Sequence, residues 1–450
     1  MRKFIFLVSI VAILALPVAA ANAAPPPGGP PGLEQAITAQ EAHNPQILAI
    51  PGVVGTAVGL TADGKPAVKI LSQTAGVRGL PAFLDGVPVV TQVTGKLFAM
   101  KPPTKPPKPD KPDSPGGNRR NKPPQVTITS PADEATFNID EFIDFVATAM
   151  DKEDGDLGSD LSWESDIQGP IGDDPSFTRT LDNGKHIITA SVIDSGGKVG
   201  SDSITITVLE PSELKTTDIW PRPVPIGIST GNVKSVSAGT IACRVKDAQG
   251  NVYALSNTHV YAPYAYTSQA AIGDEVMQPG RLDAPGQVYD PSLYLGTLVA
   301  YEPINGSIFA TNEIDAAIAL TTTDKLNSTT PLSLGGYGIP NSTTVPATLG
   351  MTVQKFGRTT QLTKGQITGI NATVMVEYAP GWYAWFVGQI IVESTTAFIL
   401  PGDSGSLLVI DNLSCNPVGL MFAGNGPGTY AIANPIDLVL SEFGVTIDGK

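Results

Sequence analysis

Cysteine, histidine and charged residues are all scarce in this chain of 450 residues, and each scarcity narrows the possible chemistry. The 2 cysteines allow no more than one disulfide, and the 3 histidines leave few candidates for a catalytic base. The net charge of −14 argues against nucleic acid as the main partner, because phosphate binding needs a basic surface. A hydrophobic content of 42% supports sizeable folded cores and argues against wholesale disorder.

Long apolar runs are also absent once the N-terminus has been passed. Residues 1–23 combine a basic start at Arg2 and Lys3, an apolar run and a small-residue cleavage site that ends at Ala23. This order is typical of a secretory signal peptide, with an uncleaved membrane anchor as the alternative. No later segment is long and apolar enough to span a bilayer. We therefore expect a secreted or periplasmic protein.

Residues 33–100 are predicted to form a small α+β domain. Leu33, Ala36 and Ile37 lie on one face at helical spacing, and Pro45 should end that helix. Alternating apolar residues and turn signals then predict several strands.

Two proline-rich connectors, 101–124 and 210–232, flank a second predicted domain at 125–209. The first connector is rich in lysine, which predicts an extended and solvated spacer; contact with an anionic envelope polymer is the alternative. Residues 125–209 contain short strand-like runs, and Trp163 is expected in their core. The acidic loop 151–156 offers oxygens for Ca²⁺, although a solvated loop is favoured and no cofactor or metal is predicted.

The strongest chemical signal is one turn, Pro401 to Ser406, with the sequence PGDSGS between two apolar runs. A serine hydroxyl is a weak nucleophile that needs a neighbouring base. It also needs N–H groups directed at the oxyanion that forms on attack. Gly402 and Ser404 can supply those N–H groups from the turn.

The partners of this serine follow by elimination. His259 is the only histidine in the same C-terminal region, since His43 is expected at a polar surface and His186 at a rim of the second domain. Asp315 begins an apolar strand and is the best acid between His259 and Ser404. The chain order His, Asp, Ser is that of chymotrypsin and differs from the subtilisin and α/β-hydrolase orders.

Residues 233–450 thus resemble the chymotrypsin-like serine proteases. The resemblance implies two six-stranded β-barrels in a mostly β protein. It also implies that Ser404 attacks an acyl carbon, His259 transfers the proton and Asp315 orients the imidazole.

A second motif, GRTTQLTKGQI at 357–367, is similar to the segment that opens the second barrel of the bacterial alpha-lytic and streptogrisin proteases. In those enzymes its arginine pairs with the aspartate before the nucleophile. The resemblance therefore implies a pair between Arg358 and Asp403, with an exposed Arg358 as the alternative. Modules similar to residues 33–100 precede such domains, as a propeptide or a substrate-binding appendage.

Residues 125–209 resemble the bacterial immunoglobulin-like repeats of surface and secreted proteins, through a pattern that includes EDGDL, a tryptophan and DSGG. This resemblance implies a β-sandwich that serves as a spacer or an adhesion unit, and a cell-envelope or extracellular polymer is its possible partner.

The substrate pocket is predicted only by position. Phe398 lies six residues before Ser404, at the position where a trypsin has an aspartate. Without an acid there, no preference for a lysine or arginine substrate is expected, and a substrate with an apolar or small side chain is favoured. The residues that resemble pocket walls are Phe398, Phe422, Ala423, Gly424 and Gly428.

Cys243 and Cys415 are candidates for one disulfide in an oxidising compartment, and neither resembles a catalytic cysteine. Taken together, the sequence predicts a secreted serine endopeptidase that acts on polypeptides. The alternatives are a catalytically silent envelope-binding protein and an esterase on the same scaffold.

Overall fold

The computed structural model describes residues 29–99, 123–138, 141–209, 214–263, 271–307 and 310–450. The predicted signal peptide and nearly all of the first proline-rich connector lie outside these residues. Among the described residues, no helix has the length and apolar character needed to cross a membrane.

The first two predicted domains contain one helix and fourteen strands. In residues 33–100 these are α1 Leu33–Leu48, β1 Val53–Leu60, β2 Pro66–Ser72, β3 Phe83–Leu84, β4 Val87–Val93 and β5 Leu97–Ala99. In residues 125–209 they are β6 Gln125–Ser130, β7 Ala135–Asn138, β8 Ile143–Asp151, β9 Gly155–Asp156, β10 Ser162–Ser165, β11 Gly169–Gly172, β12 Ser176–Arg179, β13 Gly184–Ile193 and β14 Val199–Leu209.

The C-terminal half contains the remaining elements. Its first part has β15 Ser229–Asn232, β16 Gly239–Thr240, β17 Cys243–Asp247, β18 Val252–Ser256, α2 Thr258–Tyr261, β19 Glu275–Met277, β20 Tyr294–Tyr301, β21 Thr311–Asn312 and β22 Ala317–Thr321. Its second part has β23 Thr352–Gly357, β24 Gln361–Ala379, β25 Trp382–Glu393, β26 Leu407–Ile410, β27 Pro417–Asn425, β28 Tyr430–Pro435, α3 Ile436–Phe443 and β29 Val445–Ile447.

Helix α1 continues through Pro45 to Leu48, so the prediction that Pro45 ends it was wrong. Proline removes one backbone donor and normally disrupts a helix interior. Here only three residues follow it, and the side chain of Ile47 is buried in the core. Packing of this last turn therefore outweighs the local cost of proline.

The segment 125–209 is a β-sandwich with a core of its own. Its two sheets run β11-β10-β13-β14-β7 and β12-β8-β6, and β9 pairs with β8. The core position of Trp163 is confirmed: it is 1% exposed and packs edge-on against Phe145 and Phe177 at centroid distances of 5.7 and 5.6 Å. Its acidic loop is used internally, because the Asp154 carboxylate accepts bonds from the Ser195 N–H and hydroxyl, both 2.8 Å.

The prediction of a rim position for His186 was wrong, because this side chain is fully buried. Inward-facing positions alternate along β13, and His186 is one of them. Its ring nitrogens lie 2.7 Å from the Ser165 hydroxyl and 2.7 Å from the Asp182 carbonyl, so burial leaves neither nitrogen unpaired.

The C-terminal half forms two strand systems that meet at the predicted nucleophile. The first, called the first barrel below, is an eight-stranded sheet in the order β16-β15-β19-β20-β22-β18-β17-β29. The second, called the second barrel below, is a closed ring of six strands that pair in the order β23-β24-β25-β28-β27-β26. The protein is therefore mostly β, with a chymotrypsin-like domain and a β-sandwich.

The N-terminal strands join the second barrel. Strand β1 pairs antiparallel with β24, and β5 pairs with both β24 and β27. As a result, strands from residues 33–100 and from the second barrel form one twelve-stranded sheet.

The predicted disulfide is absent, because Cys243 and Cys415 are both free and buried. Both belong to one apolar core cluster. The Cys415 Sγ lies 3.1 Å from the Asn412 carbonyl, and burial raises the pKa of the Cys243 thiol.

Candidate active site

The predicted nucleophile loop, Pro401 to Ser406, depends on glycine and is fixed by the first barrel. Gly402 and Gly405 have φ values of 103° and 92°, which other residues rarely adopt. A Cβ on Gly405 would also lie 2.2 Å from the Thr240 carbonyl. Thr240 donates its N–H to the Ser404 carbonyl at 2.8 Å and its hydroxyl to the Gly402 carbonyl at 2.9 Å. The position of the serine is thus set by contacts across the two barrels.

His259 and Asp315 form a buried pair in the first barrel. His259 lies in α2, directly after β18, and Asp315 lies just before β22. The distance from His259 Nδ1 to Asp315 Oδ2 is 2.5 Å, and the His259 N–H donates to Oδ1 at 3.2 Å. An ionised carboxylate only accepts, so the Nδ1 atom carries the shared proton and Nε2 is available as a base.

Two asparagines hold the backbone of the acid. The Asn257 amide donates to the Asp315 carbonyl at 2.7 Å, and the Asn434 side chain accepts from the Asp315 N–H at 3.1 Å. The sequence, with Asn434 just before Pro435, predicts that Asn434 caps a closing helix, and this prediction was wrong because the N-cap of α3 is Pro435. Asn434 ties the second barrel to the acid instead.

Ser404 is not hydrogen-bonded to His259 in this conformation. Its hydroxyl donates to the Phe422 carbonyl at 3.1 Å, and the buried His259 Nε2 has no hydrogen-bond partner among the described residues. The serine loop nevertheless packs on the strand that leads to the histidine, since a Cβ on Gly405 would lie 2.3 Å from the Ser256 hydroxyl. Catalytic hydrogen bonds are often long or unformed until substrate binds.

The two predicted oxyanion donors lie on this loop. Neither the Gly402 N–H nor the Ser404 N–H donates to any other residue in the described part of the chain. Both backbone donors can therefore serve a developing negative charge next to the serine.

Arg358 does not pair with Asp403, which corrects the sequence-based expectation. Its guanidinium forms a two-point pair with Asp283, with Nε 2.6 Å from Oδ2. The fully buried Asp403 carboxylate is already satisfied by local donors, namely the N–H groups of Thr359, Thr360 and Leu400 and the Thr360 hydroxyl.

The cation closest to Asp403 is Lys355, which the sequence analysis missed. Its Nζ lies 3.7 Å from Asp403 Oδ2, donates to the Gln361 carbonyl at 3.0 Å and also contacts the Thr360 hydroxyl. Burial lowers the pKa of Lys355, and the charge of Asp403 opposes that shift. The available signal was a lysine between Val353 and Phe356 in a predicted strand of the second barrel, because an unpaired buried charge is costly.

Tyr378 is the other missed residue. It lies on β24, and its hydroxyl donates to Asp315 Oδ2 at 2.7 Å, the same oxygen that accepts from His259. No motif surrounds Tyr378 in the sequence, so only the folded hairpin of β24 and β25 reveals its position.

The predicted pocket residues are mostly buried. Phe398 belongs to the core, with Lys355 Nζ 5.9 Å from its ring centroid, and Phe422 packs on Phe386 at 4.8 Å. Gly428 has a φ of 75°, and a Cβ there would lie 2.1 Å from the Ile399 carbonyl. Glycine is therefore required at this turn for steric reasons.

The chain's own strand β5 lies along the predicted substrate strand. Ala99 pairs with Ala423 and Phe98 with Gly424 in antiparallel register. The next residue of β27, Phe422, is the one whose carbonyl holds the Ser404 hydroxyl. The edge of β27 next to the serine is thus already occupied by an extended peptide.

No protein-family model and no curated protein matches the chain. Among solved structures, Thermobifida fusca protease A is similar at 20% identity over 50% of this chain and 100% of that chain, with a TM-score of 0.35. The Cellulomonas bogoriensis chymotrypsin is similar at 21% identity over 50% and 99%, with a TM-score of 0.34. Fibronectin(III)-like modules of Clostridium thermocellum CbhA match at 18% identity over 35% and 64%, with a TM-score of 0.17.

Proposed function

We propose that the chain is a secreted bacterial serine endopeptidase of the chymotrypsin-like type. One observation carries this proposal: the buried His259–Asp315 pair, whose Nε2 has no partner among the residues that the structure describes, beside a glycine-flanked serine loop that the first barrel positions. Each part of this arrangement corresponds to a chemical need of acyl transfer, namely a base, a nucleophile and backbone donors.

The reaction follows from these roles. Ser404 turns from the Phe422 carbonyl towards His259 and loses its proton to Nε2 as its oxygen attacks the peptide carbonyl. Asp315 accepts from Nδ1 and stabilises the imidazolium, and the Gly402 and Ser404 N–H groups bind the oxyanion. His259 then protonates the leaving amine, and water hydrolyses the acyl-enzyme by the same steps in reverse.

The test is Ser404→Ala. We expect loss of covalent labelling by a fluorophosphonate and a fall in peptide turnover of about 10⁴–10⁶-fold. The matched control is Ser414→Ala, which removes an exposed serine from a turn outside the site and should label and cleave like the wild type. Equal labelling of the Ser404→Ala variant and wild type would reject the site. Ester cleavage without peptide cleavage would favour the esterase instead.

From the position of β5 we further propose that the first substrate of the enzyme is its own chain. A substrate strand that pairs with β27 must place its scissile bond next to Ser404, and β5 already has that pairing. The peptide bonds directly after Ala99, at the start of the proline- and lysine-rich connector, are the ones we propose the enzyme cuts in its own chain. Residues 33–99 would then be a propeptide that occupies the site before the cut and stays paired with the second barrel until it is released.

A role for the sandwich in binding an envelope or extracellular polymer stays a prediction. Its internal core and separate sheets are compatible with a spacer.

A further inference from the structure

The carboxylate of Asp315 is fully buried and depends on few donors. It accepts the His259 Nδ1–H, the His259 backbone N–H and the Tyr378 hydroxyl. Within the described part of the chain, His259 is its one ion-pair partner within 4.0 Å, and His259 and Tyr378 are the titratable groups bonded to it. A buried charge must be balanced by such hydrogen bonds, and each bond to an ionised group contributes more than a neutral one.

Tyr378 is held rigidly where its hydroxyl meets this carboxylate. Its ring packs edge-on against the His259 imidazole at a centroid distance of 5.7 Å and against Trp382 at the same distance. The two positions before Tyr378 pair with β5, Val376 with Leu97 and Glu377 with Phe98. Strand β24, which carries Tyr378, is therefore paired on both of its edges close to the site, and this pairing fixes the position of the hydroxyl.

The tyrosine is also protected from ionisation. Burial raises its pKa well above the ordinary value, and the charge of Asp315 and the hydrogen bond to it act in the same direction. The phenol consequently remains a donor throughout the pH range in which a histidine base works.

We propose that Tyr378 is a positioning residue of the catalytic triad. Its hydroxyl fixes the Asp315 carboxylate against His259 Nδ1 and limits how strongly that carboxylate attracts the shared proton. This inference rests on the proposed function of His259 and Asp315, and it adds a fourth side chain to their arrangement.

Tyr378→Phe tests the proposal through rate and pH dependence. Loss of one hydrogen bond to a charged group predicts a fall in kcat/KM of about 10–100-fold with KM little changed. Without this donor the carboxylate keeps more negative charge, so His259 binds its proton more tightly. The acidic limb of the kcat/KM profile should therefore move to higher pH, by about one unit.

A second measurement does not require turnover. With 3 histidines in the chain, ¹⁵N-histidine labelling gives few imidazole signals to assign. In full-length Ser404→Ala protein, added Tyr378→Phe should raise the pH at which the His259 signals titrate and shift the Nδ1-bound proton resonance.

The matched control is Tyr253→Phe, which removes a tyrosine–aspartate bond of the same length, 2.7 Å to Asp247, near the start of β18 and away from its His259 end. This variant should change neither the rate nor the His259 titration. If Tyr378→Phe behaves like the control, or only lowers the melting temperature, the proposal is overturned. A shifted titration in a protein that hydrolyses nothing would support the positioning role and reject the endopeptidase instead.

Discussion

The two regions that precede the protease-like half relate to it in opposite ways. The sandwich is its neighbour in sequence, yet within the described part of the chain its strands pair only with one another and its core contains residues from 126–208 alone. Residues 33–99 lie farther away in sequence, yet their strands extend the second barrel. Leu33, Ile47 and Ile70 share one apolar core with Val353 and Ile390.

This difference teaches that the chain order of modules does not decide which of them fold together. The N-terminal segment has polar contacts across its boundary as well as apolar ones. Gln40 donates to the Asn371 carbonyl at 2.9 Å, and Lys69 pairs with Glu393 at 2.8 Å. Such a boundary resembles the inside of a domain, whereas the sandwich meets its surroundings as a unit on connectors.

The largest expected effect is a cut that separates these two regions covalently. We expect the secreted wild type to acquire a new N-terminus between residues 100 and 124, and the Ser404→Ala variant to keep the connector intact. Because β1 and β5 are paired with the second barrel, the cut N-terminal segment should still co-elute with the C-terminal half at neutral pH. N-terminal sequencing of the eluted species checks both points. The same cut in both proteins would assign it to another protease.

Trp163→Ala should destabilise the sandwich and leave the stability of the other regions unchanged. Truncating a buried tryptophan costs about 3–5 kcal/mol, and here it empties the centre of an aromatic cluster with Phe145 and Phe177. In calorimetry of the Ser404→Ala background, one transition should shift down while the transition of the C-terminal half and the N-terminal segment stays in place. A common shift of all transitions would show that the sandwich is coupled to the rest.

The sequence could predict those parts of the site whose signals are local. The Pro401–Ser406 turn needs its glycines for backbone reasons, and His259 and Asp315 lie at the ends of strand-like runs in chymotrypsin order. The structure places these last two residues in contact at 2.5 Å. Trp163 was likewise predictable, since the single tryptophan of a short β domain usually forms part of its core.

The sequence could not predict which residues far apart along the chain become partners in the fold. Arg358 has two carboxylates within reach of its loop, and only the folded chain shows that Asp283 takes the guanidinium while Lys355 balances Asp403. Tyr378 had no local signal, because its role depends on the curvature of a long hairpin. Nothing in the apolar pattern of residues 33–99 distinguished a separate domain from an extension of another sheet, since both bury the same alternating residues.

The smallest effect concerns the ion pair that crosses the N-terminal boundary. Lys69 is 8% exposed, and Lys69→Met would leave Glu393 with only its hydrogen bonds from Gln92 and Thr368. Removing one partner of a fully buried pair costs about 3–5 kcal/mol. Because Glu393 is 30% exposed, we expect about 1–3 kcal/mol here. The loss should appear in the transition that the N-terminal segment shares with the C-terminal half, and Lys185→Met on the sandwich surface is the control.

The pH dependence of this boundary has a definite sign. Burial alone raises the pKa of Glu393, but attraction to Lys69 and the hydrogen bonds outweigh it, so the pKa lies below its ordinary value of 4.5. A lowered folded-state pKa gives stability that is present above 4.5 and is lost as the pH falls through the lowered value. After the connector is cut, acid should therefore weaken the hold on the N-terminal segment in the wild type. Chromatography between pH 7 and pH 3 should show a weaker hold at pH 7 and a shallower loss towards pH 3 for Lys69→Met, because that variant lacks the Lys69 charge that lowers the Glu393 pKa. Equal release curves would mean that the ion pair contributes nothing to keeping this region in the sheet.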